Sequence, residues 1–229
     1  MRSFIVISKF ESNSLGSDYV LGDLHGQYER FMILLSKLQF DYQNDRLFAL
    51  GDLIDRGPDS EKCLELLNEP WFYSIKGNHE DMLSKTLLVE AKRPIWIANG
   101  GGWDSKLPHE KLAQYNKAAS ELPLVITIGS GSDRVNLLHA EFFGTDQDLD
   151  ASNYSPKVTQ QLLWGRQLIT EPSKYRSLSQ LSKTYCGHSV VEKPLKIGSQ
   201  IYIDTGAGFI NTGGKLTIAK IAENRFYSI

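Results

Sequence analysis

Asp18-Tyr19-Val20-Leu21-Gly22-Asp23-Leu24-His25-Gly26 is the stretch that decides how the chain is read. Asp18 to Leu21 is a short apolar run that predicts a strand, and the glycine-bounded residues after it predict a loop. Gln27 to Leu38 then sets Phe31, Leu34, Leu35 and Leu38 at helical spacing. The pattern repeats downstream. Arg46 to Leu50 predicts a second strand, Gly51-Asp52-Leu53-Ile54-Asp55-Arg56-Gly57 its loop, and Ser60 to Leu67 a second helix. Trp71 to Ile75 predicts a third strand, with Gly77-Asn78-His79-Glu80 behind it. Strand, loop and helix in repetition imply an α/β sheet that presents ligand groups at its strand ends.

Asp81 to Leu122 reads as helical, broken at Pro94 and at Asn99-Gly100-Gly101-Gly102. The second half is richer in strands, at Leu124 to Ile128, Val135 to Leu138, Thr184 to Cys186, Gln200 to Ile203 and Leu216 to Ile221. Met1 to Ser17 is set apart as an N-terminal extension, with Glu11 to Ser17 as a loop. There is no internal repeat or long linker, so residues 1–229 are expected to form a single domain.

The composition of the 229 residues, 41% hydrophobic and 23% charged, is that of an ordinary globular chain long enough for a sizeable core. The formal net charge of -2 gives no support for binding nucleic acid or an anionic membrane surface. The two cysteines, Cys63 and Cys186, make neither a disulfide framework nor a CxxC site, and read as buried thiols in a reducing compartment. The apolar run Phe4-Ile5-Val6-Ile7 is too short for a signal-peptide core, and no stretch approaches the roughly 20 apolar residues of a membrane span. A cytoplasmic protein is expected.

Four of the five histidines fall just after, or close to, expected strand ends: His25, His79, His139 and His188. Asp23, Asp52 and Asp55 share that position. Alone, each motif has an ordinary reading. Asp23-Leu24-His25 could be a surface turn, Gly77-Asn78-His79-Glu80 likewise. Asp55-Arg56 could be an ion pair of little worth, and His139 or His188 a core histidine. Together they form a set of carboxylate, imidazole and amide donors suited to Mn, Fe or Zn. Two divalent metals about 3.5–4 Å apart are the usual device for hydrolysing a phosphoester. They acidify a water, bind the phosphoryl oxygens and stabilise the developing charge. His109, between polar residues near a helix start, is assigned no role, and Cys186 is a weaker candidate than the oxygen and nitrogen donors.

The three glycine-bounded motifs, in this order and spacing, resemble the signature motifs of the phosphoprotein phosphatases, a branch of the calcineurin-like metallophosphoesterases. His139 after a strand, Gly187-His188-Ser189 and Ile203-Asp204-Thr205-Gly206 agree with the same family, and Asn99-Gly100-Gly101 and Trp164-Gly165-Arg166 are similar to its compact bacterial and bacteriophage-lambda type. The resemblance implies a four-layer α/β/β/α sandwich with a small helical insertion. It implies that Asp23, His25 and Asp52 hold one metal and that Asp52, Asn78, His139 and His188 hold the other, with Asp52 as the bridge; the mixed oxygen and nitrogen donors, with no obligatory thiolate, make Mn the expected ion, ahead of Fe or Zn. It further implies that Arg56 and Arg166 grip the phosphoryl oxygens, and that His79, oriented by Asp55, protonates the leaving oxygen. The implied substrate is a phosphoprotein or phosphopeptide carrying phosphoserine or phosphothreonine, with phosphotyrosine left open.

The chain also departs from the family. Ala140-Glu141 stands where the eukaryotic enzymes have glycines, so Glu141 is expected at the rim of the cleft, disfavouring acidic substrates. The eukaryotic C-terminal signature is absent, so no regulatory subunit is implied. Two other functions stay open: hydrolysis of diadenosine tetraphosphate or related nucleotides, whose enzymes share the metal motifs but typically replace residues like Asp55 and Glu80, and a non-enzymatic binding module, which should have lost a ligand or the proton donor.

Overall fold

Residues 6–229 are described by a computed structural model. The first five residues of the expected N-terminal extension lie outside the described residues. In chain order the strands are β1 (Ile7–Phe10), β2 (Asp18–Leu21), β3 (Arg46–Ala49), β4 (Phe72–Ser74), β5 (Val125–Ile128), β6 (Val135–Leu138), β7 (Gly144–Thr145), β8 (Ser179–Gln180), β9 (Lys183–Cys186), β10 (Leu195–Ile197), β11 (Gln200–Tyr202), β12 (Thr217–Lys220) and β13 (Arg225–Ser228). The α-helices used below are α1 (Tyr28–Leu38), α2 (Ser60–Glu65), α3 (Asn78–Leu88), α4 (Arg93–Ala98), α5 (His109–Glu121), α6 (Asp146–Asp150), α7 (Pro156–Trp164) and α8 (Gln167–Thr170).

One sheet has the order β1-β5-β6-β9-β11-β10 and the other β13-β12-β2-β3-β4; β7 and β8 make a small ladder of their own. The neighbours β2, β3 and β4 run parallel, as do β6, β9 and β11. Side chains alternate across a strand, so a strand buried on both faces serves two cores. Tyr19, Leu21, Leu47, Ala49 and Ile218 pack with α1 residues Phe31, Leu34 and Leu35. Their neighbours Val20, Phe48 and Ala219 face the other way, against Ile126, Ile128, Leu137, Tyr185 and Ile201 of the first sheet. The far face of that sheet, with Val125, Leu138, Cys186 and Tyr202, packs on Leu149 of α6, Leu162 of α7 and Leu168 of α8. Helix, sheet, sheet and helix therefore form the four layers expected.

Four departures from the sequence expectations have physical causes. Ile7–Phe10, expected within an extension, is a strand that pairs in parallel with β5 at the sheet edge. Its neighbour Glu11 to Ser17 has no regular structure, as expected. Pro94 opens α4 instead of breaking a helix, because proline at the first turn gives up no helical hydrogen bond. The edge strands β10 and β13 are unforeseen; their burial is too slight to leave an apolar alternation. No described helix is long and apolar enough to cross a membrane.

Candidate active site

Six loops leave the C-terminal ends of β2, β3, β4, β6, β9 and β11 and converge where the two sheets meet. They carry Asp23 and His25, Asp52 and Asp55, Asn78 and His79, His139, His188, and Asp204. All nine side chains are buried. His25, Asp52, Asp55, Arg56 and His188 adopt φ of 45°, 49°, 72°, 69° and 61°. Left-handed backbone at non-glycine residues is strained and persists where surrounding contacts enforce it, commonly at functional sites. At Gly187 a Cβ would stand 2.1 Å from Oδ1 of Asp23, so only glycine lets the His188 loop close over that carboxylate. The backbone N–H of His188 then donates to both Asp23 oxygens, at 3.0 and 3.1 Å.

Asp52 stands at the centre. Its Oδ2 is 3.7 Å from Nε2 of His25 and 3.7 Å from Nε2 of His79, and its Oδ1 is 3.4 Å from Nε2 of His139. Oδ1 of Asn78 lies 2.8 Å from Nε2 of His139 and 2.8 Å from Nδ1 of His188. Nδ1 of His139 donates to the Leu50 carbonyl at 2.7 Å and Nδ1 of His25 to the Ile54 carbonyl at 2.9 Å. A carbonyl can only accept, so both rings carry their proton on Nδ1 and turn an Nε2 lone pair inward. Burial pushes the His25 imidazole down to about 3 and lowers that of His139, which keeps both rings in the neutral form a metal needs. Burial likewise takes His188 to about 2.

The carboxylates divide. Burial alone would raise Asp52, but the imidazoles of His139, His79 and His25 outweigh it and hold it well below the usual range. Asp23 is raised by burial and by the charges of Asp204 and Asp52; Asp204 is raised by burial to about 6. Buried carboxylates crowded together in this way call for a cation.

Two groups of side chains could hold one. His25, Asp52 and His79 place donor atoms within 4.8 Å of one another, and so do Asp52, His139 and His188. Asp52 belongs to both, which suits a pair of divalent ions with a shared carboxylate. Asp23, expected in the first group, is 3.9 Å from Nε2 of His25. His79, expected to carry a proton, stands in that group instead. Its Nδ1 meets Oδ2 of Asp55 at 2.6 Å, and its Nε2 is buried with no hydrogen-bond partner. A carboxylate-oriented imidazole with a free Nε2 serves either as a ligand or as a general acid. Burial opposes its charge, but Asp52 and Asp55 prevail and raise its pKa, which favours the acid.

Arg56 and Arg166 stand exposed at the mouth. Nη1 of Arg56 is 2.6 Å from Nε2 of His25, and Arg166 is close enough for its charge to help lower His139 and His188.

Glu141 is not at the rim. It is fully buried, and its carboxylate accepts the backbone N–H of Gln167 at 3.0 Å and of Leu168 at 2.8 Å. It thereby fixes the turn that presents Arg166. Cys186 is buried with its thiol directed at Oε1 of Gln200, 3.4 Å away, and Cys63 is on the buried face of α2, in the core. His109 begins α5, outside the site.

Three contributors went unassigned in the sequence. Glu80 accepts the N–H groups of Asp52, Leu53 and Gly77, at 2.8, 2.8 and 2.9 Å. The indole N–H groups of Trp96 and Trp103 both donate to Asp55, at 2.8 and 2.7 Å. The available signal is the pair of tryptophans, Trp96 and Trp103, flanking the run Gly100 to Gly102.

Comparison with known proteins agrees with this arrangement. The family of calcineurin-like phosphoesterases matches residues 19–193. The chain is 33% identical over 227 residues to serine/threonine-protein phosphatase 1 of Salmonella typhimurium, covering 96% of this chain and 99% of that protein. It is 28% identical to an asymmetrical bis(5'-nucleosyl)-tetraphosphatase of Halalkalibacterium halodurans, covering 92% of each. Its fold superposes on a protein serine/threonine phosphatase from Saccharomyces cerevisiae with a TM-score of 0.67 at 17% identity, over 98% of this chain and 84% of that one. A family match across five of the six strands whose loops converge and a bacterial relative one third identical from end to end lead to one conclusion: the chain belongs to the calcineurin-like phosphoesterases and hydrolyses phosphoesters.

Proposed function

We propose that the chain is a protein phosphatase that releases phosphate from phosphoserine and phosphothreonine side chains. The observation that carries this is the Asp55–His79 pair: a buried carboxylate 2.6 Å from Nδ1 of a buried imidazole whose Nε2 faces the site. A serine or threonine alkoxide leaves poorly, so its oxygen must be protonated as the P–O bond breaks. The similarity to a bacterial serine/threonine-protein phosphatase over the full length supports the same substrate.

In this reading Asp23, His25 and Asp52 hold one divalent cation, and Asp52, Asn78, His139 and His188 the other, with Mn²⁺ the ion that serves best. When bound, the cations supply an acidified water and neutralise phosphoryl charge. The chain's own residues do the rest. Arg56 and Arg166 grip phosphoryl oxygens from the two sides of the mouth, the fork of arginine matching phosphate geometry. His79 holds a proton on Nε2 for the leaving oxygen. Asp55 accepts the Nδ1–H, fixing the ring's orientation and stabilising its charge.

A second reading, hydrolysis of dinucleoside polyphosphates, draws on the similarity to a bis(5'-nucleosyl)-tetraphosphatase. It also draws on Phe209, half-exposed with its ring centroid 5.2 Å from the Arg56 guanidinium, where a nucleobase could stack. Rates on a phosphoserine peptide and on diadenosine tetraphosphate, measured with the same Mn²⁺-loaded protein, separate the two. A kcat/KM higher on the nucleotide would reject the protein-phosphatase reading.

A further inference from the structure

The carboxylate of Asp55 is fully buried, and what holds it is unusual in kind. Oδ1 accepts the indole N–H of Trp103 at 2.7 Å. Oδ2 accepts that of Trp96 at 2.8 Å and Nδ1–H of His79 at 2.6 Å. The backbone N–H of Asp55 donates to Oγ of Ser60 at 2.9 Å. An indole has one donor, no acceptor and no charge. It can orient a carboxylate without taking up the His79 proton or neutralising the carboxylate as an ion-pair partner would. Two indoles arriving on different oxygens fix the rotation of the carboxylate plane, which a single donor would leave free.

Both tryptophans come from the helical insertion, 41 and 48 residues beyond Asp55. The insertion is itself braced. Arg93 on α4 forks onto Asp104 at 2.7 and 2.8 Å, closing the segment that carries both indoles. The Trp96 and Trp103 rings meet edge to face at 6.1 Å, and Trp103 leans on Tyr115 of α5 at 6.3 Å. Gly101 lies flat against the Trp96 ring, where a Cβ would stand 2.3 Å from the indole. The Gly100 carbonyl accepts the backbone N–H of Arg56 at 3.1 Å. One surface element therefore clamps two consecutive residues with left-handed φ, Asp55 and Arg56.

We infer that Trp96 and Trp103 are positioning residues: their indole N–H groups lock the Asp55 carboxylate in the orientation that aims His79 at the leaving oxygen, so the insertion sets the acid although it contributes no reacting atom. The inference rests on the reading of His79 as the proton donor. The donated proton passes from Nε2 of His79 to the oxygen released from phosphorus, leaving a neutral imidazole still hydrogen-bonded to Asp55.

The test compares Trp96→Phe, Trp103→Phe, Asp55→Ala and the combinations of Asp55→Ala with each tryptophan variant, all loaded with Mn²⁺. His79→Asn is measured alongside. Phenylalanine keeps an aromatic ring and removes the donor together with part of the indole's bulk, so the comparison of two substrates and the Asp55→Ala background separate lost orientation from lost packing. Removing a hydrogen-bond partner that orients a metal-ligating side chain typically costs roughly 10- to 100-fold in affinity or activity, and the indoles orient Asp55 in the same manner. Each tryptophan variant is expected to lose roughly tenfold in kcat on a phosphoserine peptide. Its loss on nitrophenyl phosphate, whose leaving group needs no proton, should be smaller, and KM and metal content should hold. In the Asp55→Ala background the same substitutions should add less than about twofold, since the group they orient is gone.

Equal losses on the two substrates, or the full tryptophan effect in the Asp55→Ala background, would reduce the indoles to packing and overturn the inference. If His79→Asn loses more on the peptide and the tryptophan variants do not, the positioning inference fails alone. If His79→Asn loses equally on both substrates, the acid reading fails and this inference falls with it. Should Trp96→Phe fail to accumulate, Trp103→Phe, at a partly exposed position, carries the test.

Discussion

The carboxylate of Glu80 accepts the backbone N–H of Asp52 at 2.8 Å, although 28 residues separate them. Asp52 has φ of 49° and must turn its side chain toward three imidazoles. Glu80 holds that turn from behind, taking the N–H groups of Leu53 and Gly77 as well.

The first prediction follows from this brace. Glu80→Ala leaves three buried N–H groups without an acceptor, each worth about 1–3 kcal/mol. We expect urea unfolding to show a loss of about 3–5 kcal/mol at unchanged m-value. A loss below about 1 kcal/mol would mean that water replaces the carboxylate and the brace is dispensable.

Metal removal is the second. Activity should disappear with a chelator and return best with Mn²⁺, with two ions per chain by elemental analysis. Asp52→Asn removes the charge common to both donor groups, so it should cost more activity than Asp23→Asn and lower occupancy at both positions. Two ions retained in Asp52→Asn would show that the shared carboxylate is wrongly assigned.

The third concerns His79. General acid catalysis is worth roughly 10²–10⁴-fold. His79→Asn should cost about that on a phosphoserine peptide and clearly less on nitrophenyl phosphate, with metal content near two per chain. Because His79 also stands 3.7 Å from Asp52, loss of an ion in this variant would assign it as a ligand instead.

The fourth concerns the mouth. Arg56→Ala and Arg166→Ala should each lower kcat/KM by roughly 100-fold and weaken inhibition by inorganic phosphate. Glu141→Ala, through the turn it caps, should reproduce the Arg166→Ala pattern in milder form. Undiminished phosphate inhibition in both arginine variants would make them surface charges with no part in binding.

Much of this architecture is written locally. β2, β3, β5 and β6 lie within a residue or two of their expected positions because strands buried on both faces are largely apolar runs. β1 and β13 are legible only in three dimensions. Ile7-Ser8-Lys9-Phe10 and Arg225-Phe226-Tyr227-Ser228 lie at sheet edges, half-wetted, and their pairing comes from a neighbour's hydrogen bonds. Asp23, His25, Asp52, Asp55, His79 and His188 announce themselves through glycines beside them, and His139 through its place at the end of an apolar strand. Trp96, Trp103 and Glu141 do not, since each acts on a loop between 26 and 48 residues away. Glu141 illustrates the difference best: read in sequence it is a charge beside His139, and folded it is the acceptor that ends a turn.

The two sheets do not contribute alike to the site. Asp52 leaves one sheet and His139 the other, and they meet at 3.4 Å across the apolar seam of Val20, Phe48 and Leu137. Of the two proposed sets, Asp23, His25 and Asp52 all leave the sheet of β2 and β3, whereas Asp52, Asn78, His139 and His188 draw on both sheets. A cation gripped by that second set would act as a rivet through two plates, set only after the plates are aligned. Such a rivet adds little to the speed of folding, because its parts come together last, and resists the reverse, since the seam cannot open while it holds. The protein's resistance to unfolding would then track the supply of divalent cation in its surroundings, making its lifetime as well as its chemistry a function of that ion.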